Sequence, residues 1–236
     1  MEILERLNIP LIDPQRIPIR TLIVQLNPTK DDKKIIESHI SSMKLVSLLN
    51  QQTIRLRPYT DNEISCQTIY VIDIKLKKED SIVSLSNIVH SAFPEPTILL
   101  LGSEKNNYIS VSEKRINKLD KTKTVVENVL LVKIDNLNIS YINFNNDNFS
   151  NLFTYYKNII SNIEKIEVFN ITNIYPKKEV SYRTMIAEYE KIKSSISNLK
   201  EKYKQATMKS QKLIIDDKIY DEEEKMKEVI SKIKGE

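Results

Sequence analysis

The chain has 236 residues and a formal net charge of +4, with 40% hydrophobic and 29% charged residues. This composition suits one ordinary domain with an appendage, and the near-balanced charge argues against a dedicated nucleic-acid binder. The single cysteine, two histidines and two glycines argue against a disulfide framework, a structural zinc site and a glycine-rich phosphate-binding loop. Because no apolar run reaches the roughly 18 residues of a membrane span, we expect a cytoplasmic protein without membrane segments.

The first part of the chain, residues 1–28, is predicted to form an extended arm. Pro10, Pro14 and Pro18 each fix φ and disfavour a helical conformation in the residue before them. Within this arm, residues 21–26 are mostly apolar and fit either a first strand or a segment that packs across the main sheet. The arm therefore serves docking more than it forms a domain.

A helix is predicted for residues 29–50. Thr29 is a suitable N-cap with Asp32 three residues later, and apolar residues recur at helical spacing through the segment. His39 lies within this helix, where a histidine is more often a packed or surface residue than a ligand or a base. No function is therefore assigned to it.

An α/β core is predicted for residues 29–135. After the first helix the pattern indicates strand, strand, helix and three further strands, at residues 53–57, 69–77, 81–92, 97–101, 108–112 and 125–134. The strand at 69–77 alternates, with Ile72, Ile74 and Leu76 on one face. The continuously apolar run at 97–101 is typical of a strand covered on both faces. The fold class is therefore α/β (α+β), with a central mixed sheet of about five strands and flanking helices.

The rest of the chain is predicted to be helical. Apolar spacing indicates a helix at 147–165, within a connection packed on the core over residues 136–176. The C-terminal extension comprises residues 177–236. Its heptad-like pattern predicts one long helix with coiled-coil character from residue 182 to 213, then a break at 213–217 and a last amphipathic helix.

Five residues of this long helix form a candidate interaction seam: Tyr189, Ile192, Ile196, Leu199 and Tyr203. An apolar seam of this length is not stable in water unless another surface covers it. The helix at 147–165, a second copy of the chain and a partner protein are the alternatives. We expect intermolecular pairing.

Several segments together resemble one known family. They are residues 76–77 at the end of a strand, 92–96 after a helix, the strand 97–101, and the later segments 112–115 and 125–127. As an ordered series, over roughly residues 3–220, they resemble the bacterial and archaeal domain of unknown function 4391 (DUF4391). Members of this family have no assigned activity and tend to be encoded beside DNA methyltransferases and helicases of restriction-like systems. The resemblance thus implies a helicase or methyltransferase as the partner, by association only.

The sharpest catalytic pattern is Asp61, followed by Asp73 and Lys75 on a strand. Nucleases of the PD-(D/E)xK type use two carboxylates to hold a divalent ion such as Mg²⁺, and a lysine to steady the attacked phosphate or water. The predicted order of helices and strands is compatible with such a nuclease. The solvated face of an amphipathic strand would carry the same residues, so both interpretations stay open.

A basic cluster is predicted in one loop between strands, at Lys114, Arg115, Lys118, Lys121 and Lys123. Flexible cations of this kind can contact nucleic-acid phosphates, although an exposed loop often carries them without such a role. Nucleic-acid binding is therefore one candidate role of the loop that carries these basic residues.

Cys66 lies in a polar loop without an evident base partner.

The sequence favours a non-catalytic accessory or assembly subunit of a DNA-directed restriction-modification or phage-defence complex. We expect a protein partner, a homo-oligomer formed through the C-terminal helix, or both, and no cofactor. The alternative is a metal-dependent nuclease with a PD-(D/E)xK-like core, which would require Mg²⁺.

Overall fold

A computed structural model of the chain describes residues 2–121, 123–142, 144–145, 148–176 and 180–234. The chain divides into two compact units, Met1–Ile163 and Glu164–Glu236. The first unit contains a sheet flanked by helices, and the second is helical. No helix in the described part of the chain is both long and apolar enough to cross a membrane.

The helices of the first unit are α1 (Glu2–Arg6), α2 (Ile19–Leu26), α3 (Lys30–His39), α4 (Gln51–Ile54) and α5 (Ile82–Ala92). Its strands are β1 (Gln15–Arg16), β2 (Ile40–Leu49), β3 (Tyr59–Thr60), β4 (Ser65–Cys66), β5 (Ile69–Leu76), β6 (Thr97–Gly102), β7 (Asn107–Ile116) and β8 (Thr124–Ile134). A 3₁₀ helix, Asn138–Tyr141, follows β8. Helix α6 (Leu152–Thr172) begins in the first unit and ends in the second, which also holds α7 (Arg183–Gln205) and α8 (Lys209–Lys234).

Six of the strands form one mixed sheet in the order β1-β2-β5-β6-β7-β8. The neighbours β5 and β6 are parallel and are connected by α5, whereas the other adjacent pairs are antiparallel. Strands β3 and β4 form a separate two-stranded hairpin. The predicted mixed α/β fold is therefore confirmed, with β1 as a short extra strand at one edge.

Helices α2, α3 and α5 cover one face of the sheet. Their apolar side chains join those of the strands in one buried cluster, which contains Leu22, Ile36, Ile40, Met43, Ile72, Ile74, Leu76, Leu85, Val89, Leu99 and Leu101. On the opposite face Val71, Ile98 and Leu100 are buried as well. Strand β6 is therefore covered on both faces, as its uninterrupted apolar sequence predicted.

The prediction of one helix over residues 29–50 is wrong in its second half. Helix α3 does begin after the Thr29 cap, whose side chain accepts a hydrogen bond from the backbone N–H of Asp32 (3.2 Å), but it ends at His39. The chain then continues as β2, which pairs antiparallel with β5. The spacing of apolar residues suits a helix here, but pairing with β5 satisfies the backbone and buries the same side chains.

Residues 21–26, for which a strand was one alternative, belong to α2. This helix follows Pro18 directly, a position where the fixed φ of proline is compatible with helix initiation. Leu22 is fully buried in the core cluster. The second alternative, an apolar segment that packs against the sheet, is therefore the correct one.

The predicted strand at residues 53–57 is also wrong, because α4 occupies its first two residues. The Asn50 side chain caps this helix by accepting hydrogen bonds from the backbone N–H groups of Gln52 (2.9 Å) and Thr53 (3.1 Å). A reciprocal bond from the Asn50 backbone N–H to Thr53 Oγ1 (2.9 Å) completes a capping box. These local bonds outweigh the weak strand alternation of so short a segment.

The second unit is built around a helical hairpin of α7 and α8. Its core contains Val168, Tyr182, Ile186, Ile192, Ile196, Val229 and Ile233. The buried carboxylate of Glu164 on α6 forms an ion pair with Arg183 at the start of α7, with Oε1 2.9 Å from Nη2. Apolar packing and this ion pair therefore hold the end of α6 to the hairpin.

The predicted single helix over residues 182–213 is wrong, since α7 ends at Gln205 and α8 begins at Lys209. The predicted break at 213–217 lies inside α8 and is helical. Reversal of the chain at 206–208 lets the apolar faces of the two helices cover each other, which one continuous helix cannot achieve within one chain.

Helix α6 continues to Thr172, beyond its predicted end at residue 165. The reason is that Val168, in this extra part, is buried in the core of the second unit. The predicted start of this helix at residue 147, and residues 177–179 at the predicted start of the C-terminal extension, lie outside the described residues.

Candidate functional site

Asp61 closes the turn between β3 and β4. Its Oδ1 accepts hydrogen bonds from the backbone N–H groups of Glu63 (2.8 Å) and Ile64 (2.7 Å), and its Oδ2 accepts one from the Tyr59 hydroxyl (2.8 Å). These hydrogen bonds, of which the one from Glu63 has the largest effect, hold the pKa of Asp61 below its usual value. The carboxylate is thus occupied in shaping an exposed turn.

Asp73 and Lys75 lie on β5, with Asp73 opposite Lys44 of β2 and Leu100 of β6. Burial raises the pKa of the half-buried Asp73, against the opposing charges of Lys75 and Lys44. Burial therefore makes the ionised form of Asp73 less favourable than it is in water, and a carboxylate must be ionised to bind a metal ion. Among the residues that the structure describes, no three His, Cys, Asp or Glu side chains are grouped so that they could hold a metal ion.

Replacement of Asp73 by Asn is expected to raise the free energy of unfolding at pH 7 by about 0.5 kcal/mol, because a half-buried position no longer holds a charge. Since the folded-state pKa is raised, the folded protein binds this proton more tightly than the unfolded chain. Wild-type stability therefore falls as the pH rises from about 3.9 through the folded-state pKa. The gain from Asn should vanish below this window. Urea denaturation at several pH values measures both effects, and a loss of stability at pH 7 would contradict them.

The five basic residues predicted in one loop occupy two settings. Lys114 and Arg115 lie on β7, because its pairing with β8 continues to Ile116. The loop that joins these strands carries the other three, Lys118, Lys121 and Lys123. Arg115 forms an ion pair with Glu127 of β8, and Lys123 forms one with Asp120 (3.1 Å). The cations presented to solvent are therefore those of the loop.

The ammonium group of Lys114 is hydrogen-bonded within the first unit. Its Nζ donates to the backbone carbonyls of Phe93 (2.6 Å) and Glu95 (2.8 Å) and to Thr97 Oγ1 (3.3 Å). Burial lowers the pKa of Lys114 to about 7, and the charge of Glu95 opposes this shift. Lys114 thus joins β7 to the end of α5 and the start of β6.

A buried polar network between α5 and β7 was not predicted from the sequence. His90 is fully buried, with its Nε2 2.9 Å from Ser110 Oγ and its Nδ1 3.1 Å from Ser112 Oγ. Ser86 Oγ lies 2.6 Å from Ser110 Oγ. Burial, with the nearby charge of Lys114, lowers the pKa of His90 well below its usual value. A neutral imidazole with no exposed surface stabilises the packing of α5. In the sequence, the only indication of this network was the alternate spacing of Ser110 and Ser112 on one strand.

A cavity of about 200 Å³ lies beside β7 in the first unit. Its lining includes the ion-paired Arg115 and Glu127, together with Phe153 and the buried Tyr156. The Phe153 ring stacks on Tyr59, with centroids 5.1 Å apart. The Tyr156 hydroxyl donates to backbone carbonyl oxygens of the neighbouring strands. These four lining residues are therefore already engaged in contacts within the first unit.

The predicted interaction seam lies in the hairpin of the second unit. Ile192 and Ile196 are buried in its core, and Tyr189 packs against them. Leu199 and Tyr203 are half-buried. The hairpin therefore covers, within one chain, apolar residues that were expected to need a second chain.

Large apolar side chains remain exposed near the turn of this hairpin. They are Met208 (61% exposed) in the connection and Leu213 (67%), Ile214 (56%) and Tyr220 (64%) in the first half of α8. We call these four residues the hairpin patch. The sequence analysis missed it because it placed residues 213–217 in a break. Exposed apolar side chains that lie this close together in the sequence are candidates for an interaction surface.

Comparison with known proteins identifies the family but no activity. No curated protein and no solved structure matches the chain. The model of a family described as a domain of unknown function, DUF4391, matches residues 11–225. Because this match spans most of the chain, as the resemblance in the sequence implied, the chain belongs to the DUF4391 family.

Proposed function

We propose that this chain is a non-catalytic assembly subunit of a DNA-directed restriction-modification or phage-defence complex. The observation that supports it is the hairpin patch. The second unit has a core of its own within the chain, yet four large apolar side chains of its hairpin stay exposed. Exposed apolar surface is unfavourable in water, and contact with another protein removes it from water. The chain binds its partner through this patch.

The DNA-directed context comes from the family. The resemblance to DUF4391 implies, by association only, a gene neighbourhood with DNA methyltransferases and helicases, so we propose one of these enzymes as the partner. The exposed loop residues Lys118 and Lys121 are candidates for contacts with the phosphates of DNA that such a complex holds.

A nuclease role has less support from the geometry. The Asp61 carboxylate is hydrogen-bonded within its own turn, and burial raises the pKa of Asp73. Neither residue belongs to a group of three His, Cys, Asp or Glu side chains that could hold a divalent ion among the residues that the structure describes.

Co-production of the chain with a DNA methyltransferase or helicase of a restriction-modification system from the same genome is expected to yield a stable complex. Size-exclusion chromatography with light scattering measures its mass, which should equal the sum of the two proteins. The physical reason is burial of the hairpin patch in the contact. A chain that elutes alone in the presence of each such enzyme would contradict the proposal.

The purified chain alone also separates the two functions. Incubation with plasmid and single-stranded DNA in Mg²⁺ or Mn²⁺ is expected to leave both intact. The matched control is the Asp73→Ala variant. Cleavage that is present in the wild type and lost in this variant would overturn the assembly role in favour of the nuclease.

A further inference from the structure

The turn of the hairpin in the second unit carries a run of positive charge. Residues 202–212 contain no aspartate or glutamate, but they contain four lysines: Lys202, Lys204, Lys209 and Lys212. We call these four residues the basic turn. The acidic residues that flank the run are Glu201 before it and Asp216 and Asp217 after it. Over the wider segment 200–218, six lysines stand against three acidic residues, so the charge stays positive when the flanks are counted.

The lysines of the basic turn form no ion pair with any residue that the structure describes. Elsewhere in the hairpin such pairs recur: Lys193 with Glu190 (2.9 Å), Lys200 with Glu223 (3.2 Å), Lys225 with Glu222 (2.7 Å) and Lys227 with Glu224 (2.6 Å). Lys202, Lys204 and Lys209 are exposed. Lys212 lies over the ring of Tyr203, with Nζ 5.3 Å from the centroid. Positive charge is therefore left uncompensated at this end of the hairpin.

Both helices contribute to the basic turn, because α7 ends at Gln205 and α8 begins at Lys209. The C-terminus of α7 and the N-terminus of α8 carry partial charges of opposite sign, which offset each other where they meet. The positive field at the turn is therefore that of the lysine side chains. A surface cavity of about 370 Å³ is lined in part by Lys202, Gln205 and Gln211. Hydrogen-bond donors of the two helices thus converge on one concave surface.

We infer that the basic turn binds the phosphate backbone of duplex DNA. Lysine side chains, together with uncharged donors such as those of Gln205, Ser210 and Gln211, are groups that contact phosphate oxygens without reading base sequence. The turn is one local contact, in keeping with the near-balanced charge of the whole chain. The choice of DNA among polyanions rests on the proposed function, in which the assembled complex is directed to DNA.

Titration of a fluorescently labelled duplex with the full-length chain, followed by anisotropy at several NaCl concentrations, provides the test. If each of the four lysines neutralises one phosphate, the logarithm of the association constant should fall against the logarithm of the salt concentration with a slope of about −3.6. The variant Lys202→Gln/Lys204→Gln/Lys209→Gln should reduce this slope by about 2.7 and raise Kd at least about tenfold. Because these three positions are exposed, the helical circular dichroism signal should not change.

Two further variants separate a local contact from net charge. Lys191→Gln/Lys232→Gln/Lys234→Gln removes the same charge from exposed positions toward the other end of the hairpin, and it should leave the salt dependence close to that of the wild type. Lys202→Arg/Lys204→Arg/Lys209→Arg keeps the charge of the turn and should retain DNA binding, because arginine also contacts phosphates.

Three results would overturn the inference. A Gln variant of the turn with the affinity and salt dependence of the wild type rejects the basic turn as a DNA contact. A wild-type chain that leaves the duplex unbound at about 50 mM NaCl rejects it too, since phosphate contacts are strongest at low salt. If the Gln variant loses binding to phosphatidylserine vesicles but not to the duplex, the turn is assigned to a membrane surface. Each result leaves the proposed function standing, because complex formation with the enzyme is measured separately.

Discussion

Replacement of Ile196 by glutamate is expected to unfold the second unit, with a loss of more than about 3 kcal/mol in its free energy of unfolding. Ile196 is 7% exposed and belongs to one cluster with Ile192 and Val229. A carboxylate at this position would be buried among apolar side chains, which is costly for a charged group. Because α7 covers its seam with α8 of the same chain, the fold of the unit depends on that seam.

Hydrogen exchange of peptides from α7 and α8, together with the helical circular dichroism signal in urea, measures this loss. Leu213→Glu is the matched control, since it places the same charge on the exposed side of α8, and it should keep native protection from exchange. If Ile196→Glu stayed folded and changed only the mass of an assembly, the seam would be intermolecular and the intramolecular packing would be wrong.

A second large loss, of about 2 kcal/mol, is expected for Lys114→Met. Methionine keeps most of the apolar stem but cannot donate to the backbone carbonyls of Phe93 and Glu95, which accept from Lys114 in the native protein. A partly buried acceptor that loses its donor costs more than the net gain of an ordinary hydrogen bond. Chemical denaturation of the first unit measures the change.

The effect of Lys114 should also depend on pH. Its folded-state pKa is about 7, below the value of about 10.4 for an unperturbed lysine. Between these two values the unfolded chain binds the proton more tightly, so the stability that Lys114 contributes rises with pH through this window. Lys118→Met, at an exposed loop position, is the control and should change stability by less than about 0.5 kcal/mol. A pH-independent difference between wild type and Lys114→Met would contradict the assignment.

Several elements of the first unit follow from local patterns in the sequence. The alternation of β5, the apolar run of β6 and the amphipathic helix α5 between them are all recorded in neighbouring residues. The segment of β2 is different, because its apolar residues also fit helical spacing. Its pairing partner β5 lies about thirty residues away in the sequence. The local spacing of apolar residues does not predict pairing with so distant a strand.

The candidate site shows the same limit. Lys114 was grouped with loop cations because it precedes them in sequence, but its acceptors lie on the residues between α5 and β6. The network around His90 was not predicted, because the serines that face this histidine are about twenty residues further along the chain. A sequence pattern identifies residues whose side chains could take part in a site. Which of them form hydrogen bonds across the core depends on the tertiary structure.

By itself the sequence determined the α/β class and the amphipathic character of the C-terminal helices, because composition and periodicity are properties of the chain alone. The DUF4391 family was indicated by the resemblance of ordered segments and was shown by the match over residues 11–225. Only the tertiary structure decided which apolar residues are buried within the chain. The turn at 206–208 brings α8 onto Ile192 and Ile196 and leaves Leu213 and Tyr220 exposed on its far side. Burial of a residue depends on which distant segment packs against it. The apolar residues that stay exposed to a partner are therefore known only from the packing of the folded chain.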